Sequence, residues 1–225
     1  MLLLIDADDT LWENNVYFER AIEQFIDFVN HQHYTRHQVR AVLDDIERAN
    51  TALHGYGSDA FGRNLQDALR KLMAGPVPAE HLDSAAGLAA SIARQELEVI
   101  DGVPATLEYL AGRHRLVLLT KGSPEEQYAK LKRSGLEEYF ADARVVREKD
   151  ADTYRLMAEN LSADLAETWM VGNSPRSDIN PALAAGLNAV WVPHAGAWRL
   201  EQEDLAHGAG RLLIVSRFAD LRDIF

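Results

Sequence analysis

The chain contains no cysteine among its 225 residues. Disulfide bonds, thiolate metal sites and a cysteine nucleophile are therefore excluded. Long apolar runs are lacking near the start as well, where residues 1–5 are apolar but no basic stretch precedes them. Because a membrane span needs about 20 apolar residues, we expect this run to be neither a signal peptide nor a membrane span, and we expect a cytoplasmic protein.

Basic residues are fewer than acidic ones, with 23 Lys and Arg against 35 Asp and Glu, and the formal net charge is −12. Such a surface repels nucleic-acid backbones and anionic membranes, so neither is an expected partner. A small anionic substrate is still compatible with this charge, because a local cation can reverse the field inside a cleft. The length suits either one large domain or a core domain with a smaller one.

Strand and helix patterns alternate over most of the chain. The apolar residues 2–5 show no polar alternation and predict a short buried strand. Further strands are predicted at 115–120, 143–146, 168–172, 189–192 and 212–215, with helices at 105–111, 124–135, 151–160 and 175–186. Strands that alternate with helices indicate an α/β fold with a parallel sheet.

A different pattern separates the first strand from the others. Over residues 15–99 apolar residues recur with helical spacing, and the sequences HGYGS and GPVP punctuate the predicted helices. We therefore predict an α/β core domain formed by residues 1–14 and 100–225, with an all-helical insertion at 15–99. The sequence HGAGR, residues 207–211, predicts a surface turn.

Polar residues gather at the ends of four predicted strands, where ligands bind in open α/β sheets. They are Asp6, Asp8, Asp9 and Thr10; Thr120, Lys121, Gly122 and Ser123; Glu148, Lys149 and Asp150; and Gly172, Asn173, Ser174 and Asp178. Oxygen ligands without cysteine or histidine suit Mg²⁺, and the two helix starts in this set favour anions. An Mg²⁺ site beside a cation and anion-binding amides indicates phosphoryl chemistry.

These stretches resemble the motifs of the haloacid dehalogenase superfamily, in its phosphatase branch with a helical cap inserted after the first strand. DADDTL is similar to the D-x-D-x-T-[LV] motif, LLT at Thr120 to the second motif, Lys149 to the third, and GNSPRSD to the fourth, usually G-D-x-x-x-x-D. DGVPATLEYL is similar to the segment that leads from cap to core. The resemblance covers nearly the whole chain and implies a Rossmann-like open parallel sheet with an all-helical cap domain.

The resemblance implies catalytic roles for four residues. Asp6 is expected to attack phosphorus and form an aspartyl-phosphate. Asp8 is expected to protonate the leaving alkoxide and then to activate water. Thr120 is expected to donate a hydrogen bond to a phosphoryl oxygen, and Lys149 to balance the charge of Asp6. The dehalogenase branch lacks the second aspartate of the first motif, so the presence of Asp8 favours a phosphatase.

The resemblance also implies binding sites for a substrate and a metal. The expected phosphate contacts are Thr120, Lys121, Gly122 and Lys149. The expected Mg²⁺ ligands are Asp6, Asp8 through its backbone carbonyl, Asn173 and Asp178. The expected partner is a small phosphorylated metabolite, either a nucleotide, phosphoglycolate or a sugar phosphate.

Three departures from the family pattern bear on these expectations. Asn173 stands where aspartate is usual, which predicts weaker Mg²⁺ binding because one charge is missing. Asp9 replaces the commoner glycine. The proline that often follows the third motif is absent after Lys149, so Lys121 is an alternative cationic contact.

The sequence is also compatible with other functions on the same fold. A phosphomutase would use the same aspartyl-phosphate and return the group to a sugar, and a weakly active or inactive chain would serve as a binding protein. For Trp12 and Tyr17 the alternatives are packing and substrate contact. His54 and Arg63 belong either to a plain surface turn or to a loop that reads the substrate.

Overall fold

The computed structural model describes residues 1–29, 34–206, 208 and 210–225, and they form two compact units. The sheet unit comprises Met1–Asn15 and Leu97–Phe225, and the helical unit comprises Val16–Glu96. Two residues of the predicted turn HGAGR, His207 and Ala209, lie outside the described residues.

The sheet unit is built on six parallel strands in the order β3-β2-β1-β4-β5-β6. The strands are β1 (Leu2–Ile5), β2 (Arg115–Lys121), β3 (Asp142–Val146), β4 (Thr168–Gly172), β5 (Asn188–Trp191) and β6 (Leu212–Ile214). The predicted α/β fold with a Rossmann-like open parallel sheet is therefore confirmed. Ile5 pairs with Leu118 on one side and Val171 on the other, so the carboxyl ends of β1, β2 and β4 lie side by side.

The described part of the helical unit consists of four helices. They are α1 (Asn15–Val29), which begins at the last residue of the sheet unit's first segment, α2 (Arg36–His54), α3 (Ser58–Leu72) and α4 (Ala79–Ile92). Their apolar faces form a separate hydrophobic core around Phe25, Leu43 and Leu65. Residues 55–57 of HGYGS separate α2 from α3, and GPVP lies between α3 and α4, as glycine and proline predict.

Helices cover both faces of the sheet. They are α5 (Val103–Ala111), α6 (Pro124–Ser134), α7 (Ala151–Asn160) and α8 (Asn180–Ala185). Successive residues of β1 point to opposite faces. Leu3 and Ile5 join the core on the side of α5 and α6, whereas Leu2 and Leu4 join the core on the side of α7 and α8. No helix in the described parts of the chain is long and apolar enough to span a membrane.

One predicted helix is divided. The sequence predicts a single helix over residues 175–186, but a π-helical turn, Pro175–Ile179, precedes α8. Pro181 has no N–H to donate to the carbonyl of Ser177, and the hydroxyl of Tyr154 donates to that carbonyl instead, at 2.9 Å. The other predicted strands and helices of the sheet unit agree with the structure to within two residues at each end.

The residues with two possible roles are distributed between the units. Trp12 is buried in the core of the sheet unit, which fits the packing alternative. Tyr17 packs against the core of the helical unit. His54 and Arg63 are both exposed, and their part in substrate recognition stays a prediction.

Candidate functional site

The ammonium of Lys149 lies between two carboxylates at the carboxyl edge of the sheet. Lys149 Nζ donates to Asp6 Oδ1 and, at 2.8 Å, to Asp178 Oδ1. Asp6 directly follows β1, Lys149 precedes α7, and Asp178 lies in the π-helical turn after β4. All three side chains are buried, although they are far apart in the sequence. The fold thus brings three of the predicted site residues into one hydrogen-bonded cluster.

The second oxygen of Asp6 has its own partner. The Thr10 hydroxyl donates to Asp6 Oδ2 at 2.9 Å and lies 3.4 Å from Asn173 Oδ1. The backbone N–H of Asp6 donates to the carbonyl of Val171 on β4, at 2.9 Å, which extends the strand pairing past β1. Asp6 is therefore held through both carboxylate oxygens and its backbone.

The position of Asp178 depends on the residues that flank its turn. The Ser174 N–H donates to Asp178 Oδ2 at 2.9 Å. Gly172 at the end of β4 leaves room for this carboxylate, since a Cβ at Gly172 would come within 2.2 Å of Asp178 Oδ2. Burial, together with the charges of Asp178 and Asp6, raises the pKa of Tyr154 well above its ordinary value. The Tyr154 hydroxyl therefore keeps the proton that it donates to the turn.

The electrostatics of the cluster are set by two negative charges and one positive charge in a buried place. Burial, and next the charge of Asp178, raise the pKa of Asp6 from 3.8 to about 7, although Lys149 opposes this shift. Burial opposes the charge of Lys149, but Asp178 and Asp6 outweigh it and hold the pKa of Lys149 above its ordinary value. The ammonium is thus retained, and the carboxylate pair is short of one positive charge.

This arrangement fits a hard divalent cation. Asp6 and Asp178 offer carboxylate oxygens, and Asn173 offers an amide oxygen 3.4 Å from the Thr10 hydroxyl. Oxygen donors are the ligands that Mg²⁺ prefers. A second cation would also supply the charge that the two carboxylates lack. That the backbone carbonyl of Asp8 is a further Mg²⁺ ligand stays a prediction.

Asp8 lies in different surroundings from Asp6. Its Oδ1 accepts from Trp12 Nε1 at 2.7 Å and from Lys130 Nζ at 2.9 Å, and its Oδ2 accepts from Gln127 Nε2 at 2.8 Å. Gln127 and Lys130 are three residues apart on α6, so they project from the same face of that helix. Asp8 thus acts as a hydrogen-bond acceptor on both oxygens and is held by the helix that follows β2.

The residues predicted at the end of β2 are close to this edge but have other partners. Thr120 is buried, and its hydroxyl donates to the carbonyl of Lys121 at 3.3 Å. Gly122 has φ of 135°, a conformation that favours glycine, and a Cβ there would lie 2.9 Å from Gln127 Nε2. Gly122 therefore makes room for the side chain that holds Asp8.

Lys121 belongs to a second polar network. Its ammonium donates to Ser177 Oγ at 2.7 Å and to Glu201 Oε1 at 2.9 Å, and it lies 3.1 Å from Glu148 Oε1. This geometry pairs Lys121 with the protein's own carboxylates, and the predicted phosphate contact of Lys121 stays a prediction. Lys149, not Lys121, is the lysine that contacts Asp6.

A second group of potential metal ligands lies near the start of α1. Single ligand atoms of Asp9, Glu13 and His194 all lie within 4.8 Å of one another. Asp9 already accepts from the N–H groups of Asn14 and Asn15, both at 2.9 Å, and so stabilises the start of α1. Burial raises the pKa of Asp9 to about 6. This group is separate from the predicted Mg²⁺ ligands.

Several members of these networks are not predicted by the sequence. The spacing of Gln127 and Lys130 places them on one face of a predicted helix, but nothing in the sequence shows which residue that face contacts. Thr10 is predicted to lie at the end of β1, without a role. Glu201 follows no strand or helix pattern, so no sequence signal points to it.

Comparison with known proteins adds three findings. Residues 1–186 match the family model of the haloacid dehalogenase-like hydrolases. The 5-amino-6-(5-phospho-D-ribitylamino)uracil phosphatase YigB of Escherichia coli (strain K12) is 26% identical over 207 residues, which cover 84% of this chain and 82% of the relative. The structure of a haloacid dehalogenase-like family hydrolase from Xanthomonas campestris has a TM-score of 0.84 and 25% identity, and the match covers 100% of this chain and 93% of that one.

Dehalogenases share the fold too. The 2-haloacid dehalogenase from Pseudomonas syringae pv. Tomato DC3000 has a TM-score of 0.64 at 21% identity, over 99% of this chain and 96% of that chain. Since one fold hosts several chemistries, the side chains at the site have to distinguish between them.

Proposed function

Because the chain belongs to the haloacid dehalogenase-like hydrolase family, we propose that it is a phosphoric monoester hydrolase that works through an aspartyl-phosphate on Asp6. The phosphatase relative, which aligns with most of the chain, supports this reaction class. The observation that carries the proposal is the buried cluster of Asp6, Lys149 and Asp178 at the carboxyl edge of the sheet.

In the first step, a carboxylate oxygen of Asp6 attacks phosphorus, and the bond between phosphorus and the leaving alkoxide breaks. Lys149 and Thr10 hold the Asp6 carboxylate in place, so the carboxylate loses less conformational entropy when it reacts. Lys149 also offsets part of the negative charge that builds up when two anions meet.

Asp8 transfers the proton in both steps. As an acid, it protonates the leaving alkoxide, and as a base, it takes a proton from the water that attacks the phosphoryl group. The bond between Asp6 and phosphorus then breaks, and inorganic phosphate leaves. Because Lys130 donates to both oxygens of Asp8, at 2.9 and 3.1 Å, this ion pair has to open before Asp8 carries a proton to the substrate.

We propose that Asp6, the backbone carbonyl of Asp8, Asn173 and Asp178 hold Mg²⁺, which would neutralise charge on the nucleophile and the phosphoryl group. Asn173 carries no charge, so the expectation of weaker Mg²⁺ binding stays a prediction. The variant Asn173→Asp should lower the Mg²⁺ concentration that gives half-maximal activity.

The proposed substrate is a small phosphorylated metabolite. The relative YigB is named for a phosphate ester on a ribityl chain, so sugar-alcohol phosphates join nucleotides, phosphoglycolate and sugar phosphates as candidates. The presence of Asp8 supports a phosphate ester over a haloacid, because expulsion of a halide needs no proton donor.

A panel of phosphorylated metabolites, with p-nitrophenyl phosphate as a general substrate, tests the proposal. We expect phosphate release that depends on Mg²⁺ and stops when a chelator is added. Chloride release from a 2-chloro acid is the matching assay for dehalogenase chemistry. Folded protein that releases halide but no phosphate from any member of the panel would overturn the proposal.

A further inference from the structure

Glu201 reaches the site from outside the segment that matches the family. It is the last residue of a short 3-10 turn, Arg199–Glu201, in the connection between β5 and β6. The family match ends at residue 186, so the motifs that define the family do not include this residue. Only 13% of the Glu201 side-chain surface is exposed.

Both carboxylate oxygens of Glu201 accept hydrogen bonds. Ser174 Oγ donates to its Oε2 at 2.6 Å, Ser177 Oγ donates to the same oxygen, and Lys121 Nζ donates to Oε1 at 2.9 Å. A buried charge is costly unless it is paired and hydrogen-bonded, and here it is both. Burial opposes its charge, but Lys121 and the two hydroxyls outweigh burial and hold the pKa of Glu201 below its ordinary value.

The two serines connect Glu201 to the proposed metal ligand Asp178. Ser174 donates its backbone N–H to Asp178 Oδ2 at 2.9 Å, and its hydroxyl accepts from the N–H of Ser177 at 2.9 Å. Ser177 is the residue before Asp178. Glu201 thus holds Ser174, which precedes the π-helical turn, and Ser177, in its middle, and Asp178 follows Ser177 directly.

We propose that Glu201 is a positioning residue for the metal site. Together with Ser174, Ser177 and Lys121 it forms a clamp that fixes the turn presenting Asp178. In this clamp Glu201 pairs with the charge of Lys121, which then serves to hold the turn and not as a phosphate contact. The inference rests on the Mg²⁺ site of the proposed function. Residues that hold metal ligands in place typically change metal affinity or activity by about 10- to 100-fold when they are replaced.

The test compares Glu201→Gln with Glu203→Gln in the absence of substrate. Glu203 lies in the same connection, is exposed and accepts from Asn180 Nδ2 at 3.0 Å. Its replacement by Gln removes the same charge without touching the contacts of Glu201, which makes it a matched control. Isothermal titration with MgCl₂ gives the Kd of each protein. We expect the Kd to rise about tenfold or more for Glu201→Gln and to stay within about twofold for Glu203→Gln.

Activity gives a second readout that separates positioning from general damage. Raising the Mg²⁺ concentration should restore kcat of Glu201→Gln toward that of the parent, because the metal site is weakened and not removed. If Glu201→Gln does not fold, Ser177→Ala removes two contacts of the clamp, those of the Ser177 hydroxyl with Glu201 and Lys121, and should raise the Kd severalfold.

Two outcomes overturn the inference in distinguishable ways. If the parent binds Mg²⁺ and the folded variants bind it equally well, Glu201 does not position the site, while the proposed function stands. If the parent itself binds no Mg²⁺, both the inference and the metal part of the proposed function fail.

Discussion

Asp6 and Asp8 are two residues apart in one short loop, yet their surroundings are opposite. Asp6 shares a buried place with a second carboxylate and one ammonium. Asp8 is surrounded by three donors, Trp12, Gln127 and Lys130, and contacts no other carboxylate through a described hydrogen bond. Identical side chains therefore receive different environments from neighbouring parts of the fold.

The difference matches the two proposed tasks. Asp6 is held by the buried ammonium of Lys149, the Thr10 hydroxyl and the Val171 carbonyl on β4, which suits a nucleophile that must not move. Asp8 is held mainly by long side chains of α6, and both Lys130 and Asp8 keep part of their side-chain surface exposed. A group that must give up and regain a proton needs partners that exchange.

The largest expected effect comes from Asp6→Asn, which removes the nucleophile. We expect phosphate release on the best substrate to fall on the order of 10³-fold or more, with the fold retained. Asp152→Asn is the matched control, since 92% of the Asp152 side-chain surface is exposed on α7. An Asp6→Asn protein that kept most of the parent's rate would contradict the assignment of Asp6 as the nucleophile.

The next effect comes from Asp8→Asn and depends on the leaving group. Turnover of an alkyl phosphate should fall about 10²- to 10⁴-fold, because its alkoxide needs a proton. Turnover of p-nitrophenyl phosphate should fall less in the first step, because p-nitrophenolate leaves without one. Measuring both substrates, with a burst assay that isolates the first step, checks this. Equal losses in that step would mean that Asp8 is not the acid.

Replacing Lys130 by Met should lower the rate less than Asp8→Asn does, with the same dependence on the leaving group. Without the ammonium, the Asp8 carboxylate is less well placed, so we expect about a tenfold loss on the alkyl phosphate and less on p-nitrophenyl phosphate. Lys132→Met, on an exposed position of the same helix, should change neither rate. If Lys130→Met lowered both rates equally, Lys130 would act on overall structure and not through Asp8.

The smallest effect concerns stability without metal. The pKa of Asp6 is about 7 in the fold against an ordinary 3.8, so the native state binds this proton more tightly. Asp6 therefore contributes stability below about pH 4, and this contribution is lost as the pH rises through 7. Relative to the parent in chelator, Asp6→Asn should gain at least about 2 °C in Tm between pH 5 and pH 8. A Tm difference that is independent of pH would contradict the raised pKa of Asp6.

Much of the fold can be predicted because its signals are local. A run of apolar residues before acidic ones indicates β1, and the serine and proline pairs indicate the starts of α6 and of the turn after β4. Strand ends share one edge of a parallel sheet, so the amino-acid sequence alone is enough to group Asp6, Lys149 and Asp178 at that edge.

The rest of the site cannot be predicted because it depends on contacts between distant segments. Lys130 meets Asp8 across 122 residues of sequence, and Glu201 meets Lys121 across 80. No periodicity encodes such pairs. Lys121 and Lys149 both follow strands, and only packing shows that one of them contacts Asp6 while the other is paired with Glu201.

The hydrogen bond from Tyr154 to Ser177 has a consequence for protein engineering. The backbone shape that displays Asp178 is completed by a hydroxyl from a different helix, since Pro181 cannot supply the donor itself. A synthetic peptide with the sequence GNSPRSDINP would therefore not hold this conformation alone. Transferring the motif to another scaffold would therefore also require a tyrosine on the neighbouring helix, placed so that its hydroxyl reaches the carbonyl that corresponds to Ser177.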